Sequence, residues 1–166
     1  VSVEKAEEMI FGYVLLNDWS ARDVQAWEYQ PLGPFQSKAL GTTIGAWVVT
    51  QAALEPFRSP GAERLNPLLP YLVEERPGLY DLDIGWTMNG QVMGRTNYTV
   101  MYYSSAQQLA HHTSSGCPMR VGDLLGSGTI SGPAPDQTGA LLEMTQGGNT
   151  PVTVNGARRT FIEDGD

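Results

Sequence analysis

The chain has 166 residues, enough for one ordinary domain, and its 41% apolar and 17% charged composition excludes disorder, which needs low hydrophobicity combined with high charge. A net charge of -8, with only 10 Lys and Arg spread along the sequence, argues against nucleic acid as a partner, because phosphate capture needs a clustered basic face. No membrane span of about 20 apolar residues and no secretory h-region is visible, and the single Cys117 cannot close an intramolecular disulfide, so a reducing cytoplasm is the expected compartment.

Near the start, "EKAEEMI" has helical composition, and "FGYVLLND" reads as a short buried strand bounded by a polar turn. Ser20 can cap a second helix, with Asp23 three residues on in the place of a capping-box carboxylate, and "PLGP" stops it. "TTIGAWVVT" is a second strand. The proline-rich stretch "EPFRSPGAERLNPLLPYLVEERPG" reads as a long surface excursion and not as a linker between domains.

From Tyr80, "DLDIGWTM" alternates Leu82, Ile84, Trp86 and Met88 with polar or small residues, and Asn89-Gly90 turns the chain into "QVMGRT", a hairpin. Residues 104 to 112, "SSAQQLAHH", form a short helix with Ser and Gln at capping spacing, and "RVGDLLGSGTISGP" returns to strand and tight turn. The end reads as a meander of "GALLEMTQ", "TPVTV" and "RRTFIE", separated by Gly-Gly-Asn and Asn-Gly turns. Val1 is not an initiator methionine, and Asp164-Gly165 signals a turn with no partner strand after it. Both ends are therefore expected to be cut from something longer.

Polar chemistry is concentrated in residues 16 to 43, "LNDWSARDVQAWEYQPLGPFQSKALGTT". A helix starting near Ser20 turns about 100° per residue, which places Arg22, Gln25 and Tyr29 on one stripe. Asp18 lies just before that helix at the carboxyl end of a strand, where ligands lodge in open sheets and where a carboxylate can hold a hard cation. The plainer alternative is a local Asp18–Arg22 ion pair with Tyr29 packed. Lys38 is one of only two lysines and lies between a Gly-Pro-Phe turn and Gly41-Thr42. It is placed either to meet an oxyanion or carboxylate or simply to be solvated. Thr42 is either a ligand or an ordinary strand start.

"GSGTISG", residues 126 to 132, offers backbone N–H groups and the Thr129 hydroxyl to an anion, without the lysine and spacing of a Walker loop. Glu143 in "LLEM" is a lone carboxylate that strand alternation could send to solvent. His111 and His112 point about 100° apart on a helix and do not suit one metal ion. Cys117 has no CxxC partner.

Together, "NDWSARDVQAWEYQPLGPFQSKALGTT", "QLAHHTSSGCPMRVGDLLGSGTISGP" and "FIEDGD" resemble the fumarylacetoacetate hydrolase family from about Phe11 to the last residue. "SARD" and a Gly-Asp turn are shared across the wider superfamily, whereas "WEYxPLGPF" followed by "GTT" points to the branch that hydrolyses fumarylacetoacetate. The resemblance implies an α+β, predominantly β fold, the mixed β-roll catalytic domain. Residues 1–166 would form that single, partial domain, and the smaller SH3-like N-terminal domain would be absent from it.

The implied activity is hydrolysis of a carbon–carbon bond in a β-diketo acid, giving fumarate and acetoacetate at the end of tyrosine breakdown. A metal would polarise one carbonyl, activated water would attack it, and the bond would break toward an enolate. The resemblance implies Ca²⁺ at Asp18, Mg²⁺ among Asp18, Lys38 and Thr42, substrate contacts from Gln25, Tyr29 and Thr129, and stabilisation of negative charge by Arg22, Gln25 and Lys38. Glu143 would orient a catalytic histidine that lies, with the other calcium carboxylates, upstream of Val1. His111 and His112 match a pair outside that site. The expected partners are a small dicarboxylate substrate and a second copy in a homodimer. The rivals are a superfamily decarboxylase, isomerase or hydratase acting on keto acids, and an incomplete piece acting only in binding or structure.

Overall fold

In the computed structural model, which describes residues 1–166, the Ser2 hydroxyl accepts from the Lys5 N–H at 3.3 Å and starts α1 (Val3–Met9), as "EKAEEMI" predicts. The chain then falls into two units: Phe11–Ala53, and Val1–Ile10 with Leu54–Asp166.

In the first unit, "FGYVLLND" is not one buried strand. It forms β1 (Gly12–Tyr13) and β2 (Leu16–Asp18), and every residue of β2 is exposed. Helices α2 (Arg22–Glu28) and α3 (Gln36–Ala39) follow, and then β3 (Thr42–Ile44) and β4 (Val49–Thr50) return antiparallel to β2 and β1 respectively. The "TTIGAWVVT" segment is thus also split, and its break at Gly45 faces the break at Leu15, whose carbonyl accepts the Gly45 N–H at 2.8 Å. Two short ladders replace one long one.

α2 starts two residues after Ser20. That hydroxyl donates backward to the Asp18 carbonyl at 3.0 Å, while extended Ala21 is the N-cap without a side-chain bond. Asp23 does not complete a capping box; its carboxylate accepts only the adjacent Val24 N–H. Competition from local side chain–backbone bonding defeats the expected cap.

The chain re-enters the second unit, which α1 opened, at Leu54, the last residue of α4 (Gln51–Leu54). Its proline-rich excursion carries two 3-10 turns and the pair β5 (Arg58–Ser59) and β6 (Leu79–Tyr80), and it buries Leu72, Leu79 and Tyr80. Arg58 ties it to α1 through Glu7 at 2.8 Å, and also pairs locally with Glu55 at 2.8 Å. The hairpin β7 (Asp83–Met88) and β8 (Gln91–Asn97) then forms as predicted. Asn89 and Gly90 take φ of 50° and 79°, the left-handed pair of a turn matching strand twist.

α5 (Ser105–Ser114) carries the expected capping box: Ser104 accepts the Gln107 N–H, and the Gln107 side chain accepts the Ser104 N–H. α1 packs on α5 through Val3, Ala6, Ala106, Leu109 and Ala110, the core of this unit.

Beyond α5 the expectations hold less well. "RVGDLLGSGTISGP" contains no strand, since Gly122 and Gly128 take φ of 93° and 81°, which no regular strand accommodates. "GALLEMTQ" is not a strand either. Leu141 to Met144 are good helix formers and make the short α6 (Leu141–Met144), closed by the Thr145 N–H bonding to the Leu141 carbonyl at 2.9 Å. β9 (Val152–Val154) and β10 (Ala157–Arg159) form the last hairpin around Asn155-Gly156, and the predicted strand at "RRTFIE" stops at Arg159. Asp164-Gly165 turns as expected, with Gly165 at φ 95°.

The fold is therefore mixed helix and strand, built on small two-stranded sheets with no closed barrel. Strand does not predominate: helices take 27% of the residues and strands 20%, because two expected strands are split, left-handed glycines break up residues 120–133 and "GALLEMTQ" turns helical. No helix is long and apolar enough to cross a membrane.

Candidate active site

Antiparallel pairing of β2 with β3 sets Asp18 directly opposite Thr42. Lys38, from α3, extends its ammonium to Asp18 Oδ2 at 2.9 Å, with the two side chains 33% and 49% exposed. The local ion pair weighed between Asp18 and Arg22 is thus replaced by one across twenty residues of sequence. Three of the sequence candidates, Asp18, Lys38 and Thr42, meet at one point.

Arg22 and Gln25 meet separately, since Arg22 Nη1 donates to Gln25 Oε1 at 2.5 Å from the preceding turn of α2. Tyr29 caps the carboxyl end of that helix and its ring is exposed. It lies a turn beyond Gln25, whose carbonyl accepts the Tyr29 N–H at 3.0 Å. The two groups are joined through the backbone: the Ala21 N–H donates to the Ser37 carbonyl at 2.9 Å, one residue before Arg22 in the first segment and one before Lys38 in the second. Asp18 and Thr42 are open to solvent, while Arg22, Gln25 and Lys38 are half-buried. One anionic and two cationic side chains with an amide and a hydroxyl are groups that suit a small substrate bearing oxygens.

Glu28 and Ser37 also belong to this arrangement, and sequence reading missed both. The Glu28 carboxylate accepts from the N–H groups of Phe35, Gln36 and Ser37 and from the Ser37 hydroxyl. Those bonds, the Ser37 hydroxyl foremost, lower its pKa to about 2. Ser37 itself is fully buried. A carboxylate seven to nine residues before its donors fits no capping template. The available signal was a helix at "QSKA" with no Ser, Thr, Asp or Asn ahead of it to satisfy its first N–H groups.

Thr129 and Glu143 lie in the other unit, close to one another. Glu143 accepts from the Ser131 hydroxyl and from the Gly139 N–H, the latter at 3.2 Å, and Gly139 packs against the backbone of Ile130 and the Thr129 methyl. Glu143 sits on α6 and not on a strand, so helix geometry, with these two donors, aims its carboxylate at the 129–131 loop. Thr129 is exposed and its hydroxyl is free for a ligand. His111 bonds Tyr71 Oη through Nδ1 at 2.7 Å, and His112 is exposed beside it at the end of α5.

Asp18 and Thr42 offer oxygens of the kind hard cations take, but two side chains fall well short of the six to eight ligands of a calcium site. Lys38, a protonated amine, has donors and no acceptor. No group of three or more His, Cys, Asp or Glu in the structure could hold a metal ion. These residues by themselves do not make a metal centre.

The "SARD" and "GTT" segments that carry this polar arrangement lie in a domain of one hydrolase family. The chain belongs to that family, described as Fumarylacetoacetate (FAA) hydrolase C-terminal, whose pattern matches residues 1–166. It is similar over its whole length to the fumarylacetoacetases of Arabidopsis thaliana (51% identical), Aspergillus fumigatus (53%) and Homo sapiens (46%). It spans 40–41% of the length of each.

Proposed function

We propose that this chain supplies the charge-stabilising part of a fumarylacetoacetase, which hydrolyses the carbon–carbon bond of fumarylacetoacetate to fumarate and acetoacetate, the closing step of tyrosine catabolism. The single observation that carries the reading is the cluster of Asp18, Lys38 and Thr42, tied through Ala21 and Ser37 to Arg22 and Gln25. Identity near one half with proteins of that name, over every residue of the chain, supports it.

When water adds to one carbonyl of a β-diketone, negative charge builds on that oxygen, and cleavage then leaves an enolate on the departing fragment. Both are poor species unless donors await them. Lys38 supplies a point charge, Arg22 a planar pair of donors, and Gln25 an amide whose oxygen is already held by Arg22, which turns its NH₂ outward. Tyr29 and Thr129 would orient the substrate, and Glu143 would hold a histidine donated from the sequence that the chain does not span.

Calcium and magnesium enter as proposed cofactors. Asp18 would be one ligand of each and Thr42 a neighbour of the second, the remaining oxygens coming from the rest of the protein. We also propose that the short paired strands are parts of a mixed β-roll, and that the full protein is a cytoplasmic homodimer. Trp27 and Trp47, 88% and 87% exposed, support their burial by further sequence or by a second copy.

The test is a product panel on the full-length enzyme. Equal fumarate and acetoacetate from fumarylacetoacetate is the expected result. Carbon dioxide from oxaloacetate, with fumarylacetoacetate untouched, would replace this reading with that of a superfamily decarboxylase.

A further inference from the structure

Lys38 owes its position to a residue that takes no part in the chemistry above. The first N–H groups of a helix have no intrahelical partners, and the N-cap of α3, Phe35, makes no side-chain capping bond. Glu28, at the last turn of α2, fills that role from outside. Its Oε1 accepts the Phe35 N–H at 2.7 Å, the Ser37 N–H at 2.9 Å and the Ser37 hydroxyl at 2.6 Å, while Oε2 accepts the Gln36 N–H at 3.2 Å.

Negative charge beside the start of a helix is favourable in its own right, and these bonds keep the carboxylate ionised throughout the physiological range. Ser37 is fully buried, and its carbonyl takes the Ala21 N–H. Lys38 comes next in the chain, and from there its ammonium reaches Asp18 at 2.9 Å.

We propose that Glu28 is a positioning residue: its carboxylate clasps the backbone of residues 35–37 and thereby sets the Lys38 ammonium against Asp18, without itself touching substrate. This rests on the role given to Lys38 in stabilising developing charge. The geometry distinguishes two variants. Glu28→Ala loses all four bonds, whereas Glu28→Gln can keep the three at Oε1 through its amide oxygen and forfeits only the one from Gln36.

In the full-length enzyme, Glu28→Ala should lower kcat by about 10²-fold, the scale of a roughly 1 Å misplacement, with a much smaller change in KM. Glu28→Gln should stay within about tenfold of the parent. Made in a Lys38→Ala background, Glu28→Ala should cost no more than about twofold further, because its effect runs through a side chain already removed. A full and additive loss in that background would overturn the positioning role while leaving the hydrolase reading intact.

A second measurement covers the cases in which Lys38→Ala proves inert or Glu28→Ala fails to fold. The ¹⁵N resonance of the Lys38 ammonium, assigned by its loss in Lys38→Arg, should move in Glu28→Gln and in Ser37→Ala, which deletes one bond only. An unmoved resonance in both folded variants would overturn the proposal whatever Lys38 does in the reaction.

Discussion

Replacing Lys38 by alanine separates catalysis from stability, because the proposed role gives it very different weights in the two. The Lys38–Asp18 pair spans 2.9 Å, but both side chains keep contact with water at 33% and 49% exposure. In water the Coulomb attraction at that separation is about 1.4 kcal/mol. The entropy of holding a long side chain and screening by salt reduce such exposed pairs to below about 1 kcal/mol. The melting temperature should therefore move by no more than a few degrees.

In the proposed role the same ammonium, facing an oxyanion or enolate, would be worth about 10²–10³ in kcat, the loss found when a single donor of this kind is removed. Release of fumarate and acetoacetate from fumarylacetoacetate, measured beside a thermal melt of the full-length enzyme, gives both numbers. Near-native melting with at least a 10²-fold loss of turnover is the expected pair. Native turnover would remove Lys38 from the mechanism, and a collapsed melt with lost activity would make it a structural residue.

Four other outcomes follow from the coordinates. Leu109→Ala empties the centre of the α1–α5 core and should destabilise the protein by about 2–5 kcal/mol in denaturant titration, a value below about 1 placing Leu109 outside that core. Ser104→Ala removes a buried cap that also donates to Glu74 at 2.8 Å, and by the same measurement should cost about 1–2 kcal/mol, with no change meaning that the cap is not formed. Glu28 has a folded pKa of about 2 against an ordinary 4.5, so its contribution is complete above about pH 4.5 and is lost as pH falls toward 2. The melting gap between parent and Glu28→Gln should narrow over that window, and a gap independent of pH would contradict the charge-assisted clasp. Calorimetric titration of this 166-residue chain should show only weak Ca²⁺ binding, since Asp18 and Thr42 supply too few oxygens; tight binding by the chain alone would prove that ligand count wrong.

Local chemistry was legible in the sequence wherever a short-range rule operates. Asn89-Gly90 and Asn155-Gly156 supply the positive φ that a two-residue hairpin demands, and Ser104 with Gln107 satisfies each other's backbone within one turn. Arg22 and Gln25 meet because helix geometry alone brings residues three apart together. Long-range competition was not legible. Ser20 fails as a cap because its hydroxyl turns back to Asp18, and Ala21 is claimed by Ser37, sixteen residues away. "GALLEMTQ" carries no period-two pattern strong enough to outweigh the helix preference of Leu, Glu and Met. The Asp18–Lys38 pair and the Glu28 clasp depend on α2 and α3 folding back on each other, which no spacing rule foretells. The family segments were recognisable as a set because each retains its residues in order, even where, as at Gly122 and Gly128, a left-handed backbone removes the strand expected there.

The central claim is that Lys38, Arg22 and Gln25 favour charge that develops during reaction over charge already present in the substrate. The most direct measurement is the affinity of the full-length enzyme and of its Lys38→Ala variant for two ligands: fumarate, a planar product, and a tetrahedral phosphinate that carries an anionic oxygen where water would add. Loss of about 10² in phosphinate affinity, with fumarate binding changed by less than about fivefold, is the predicted result. Equal losses for both ligands, or none for either, would contradict it.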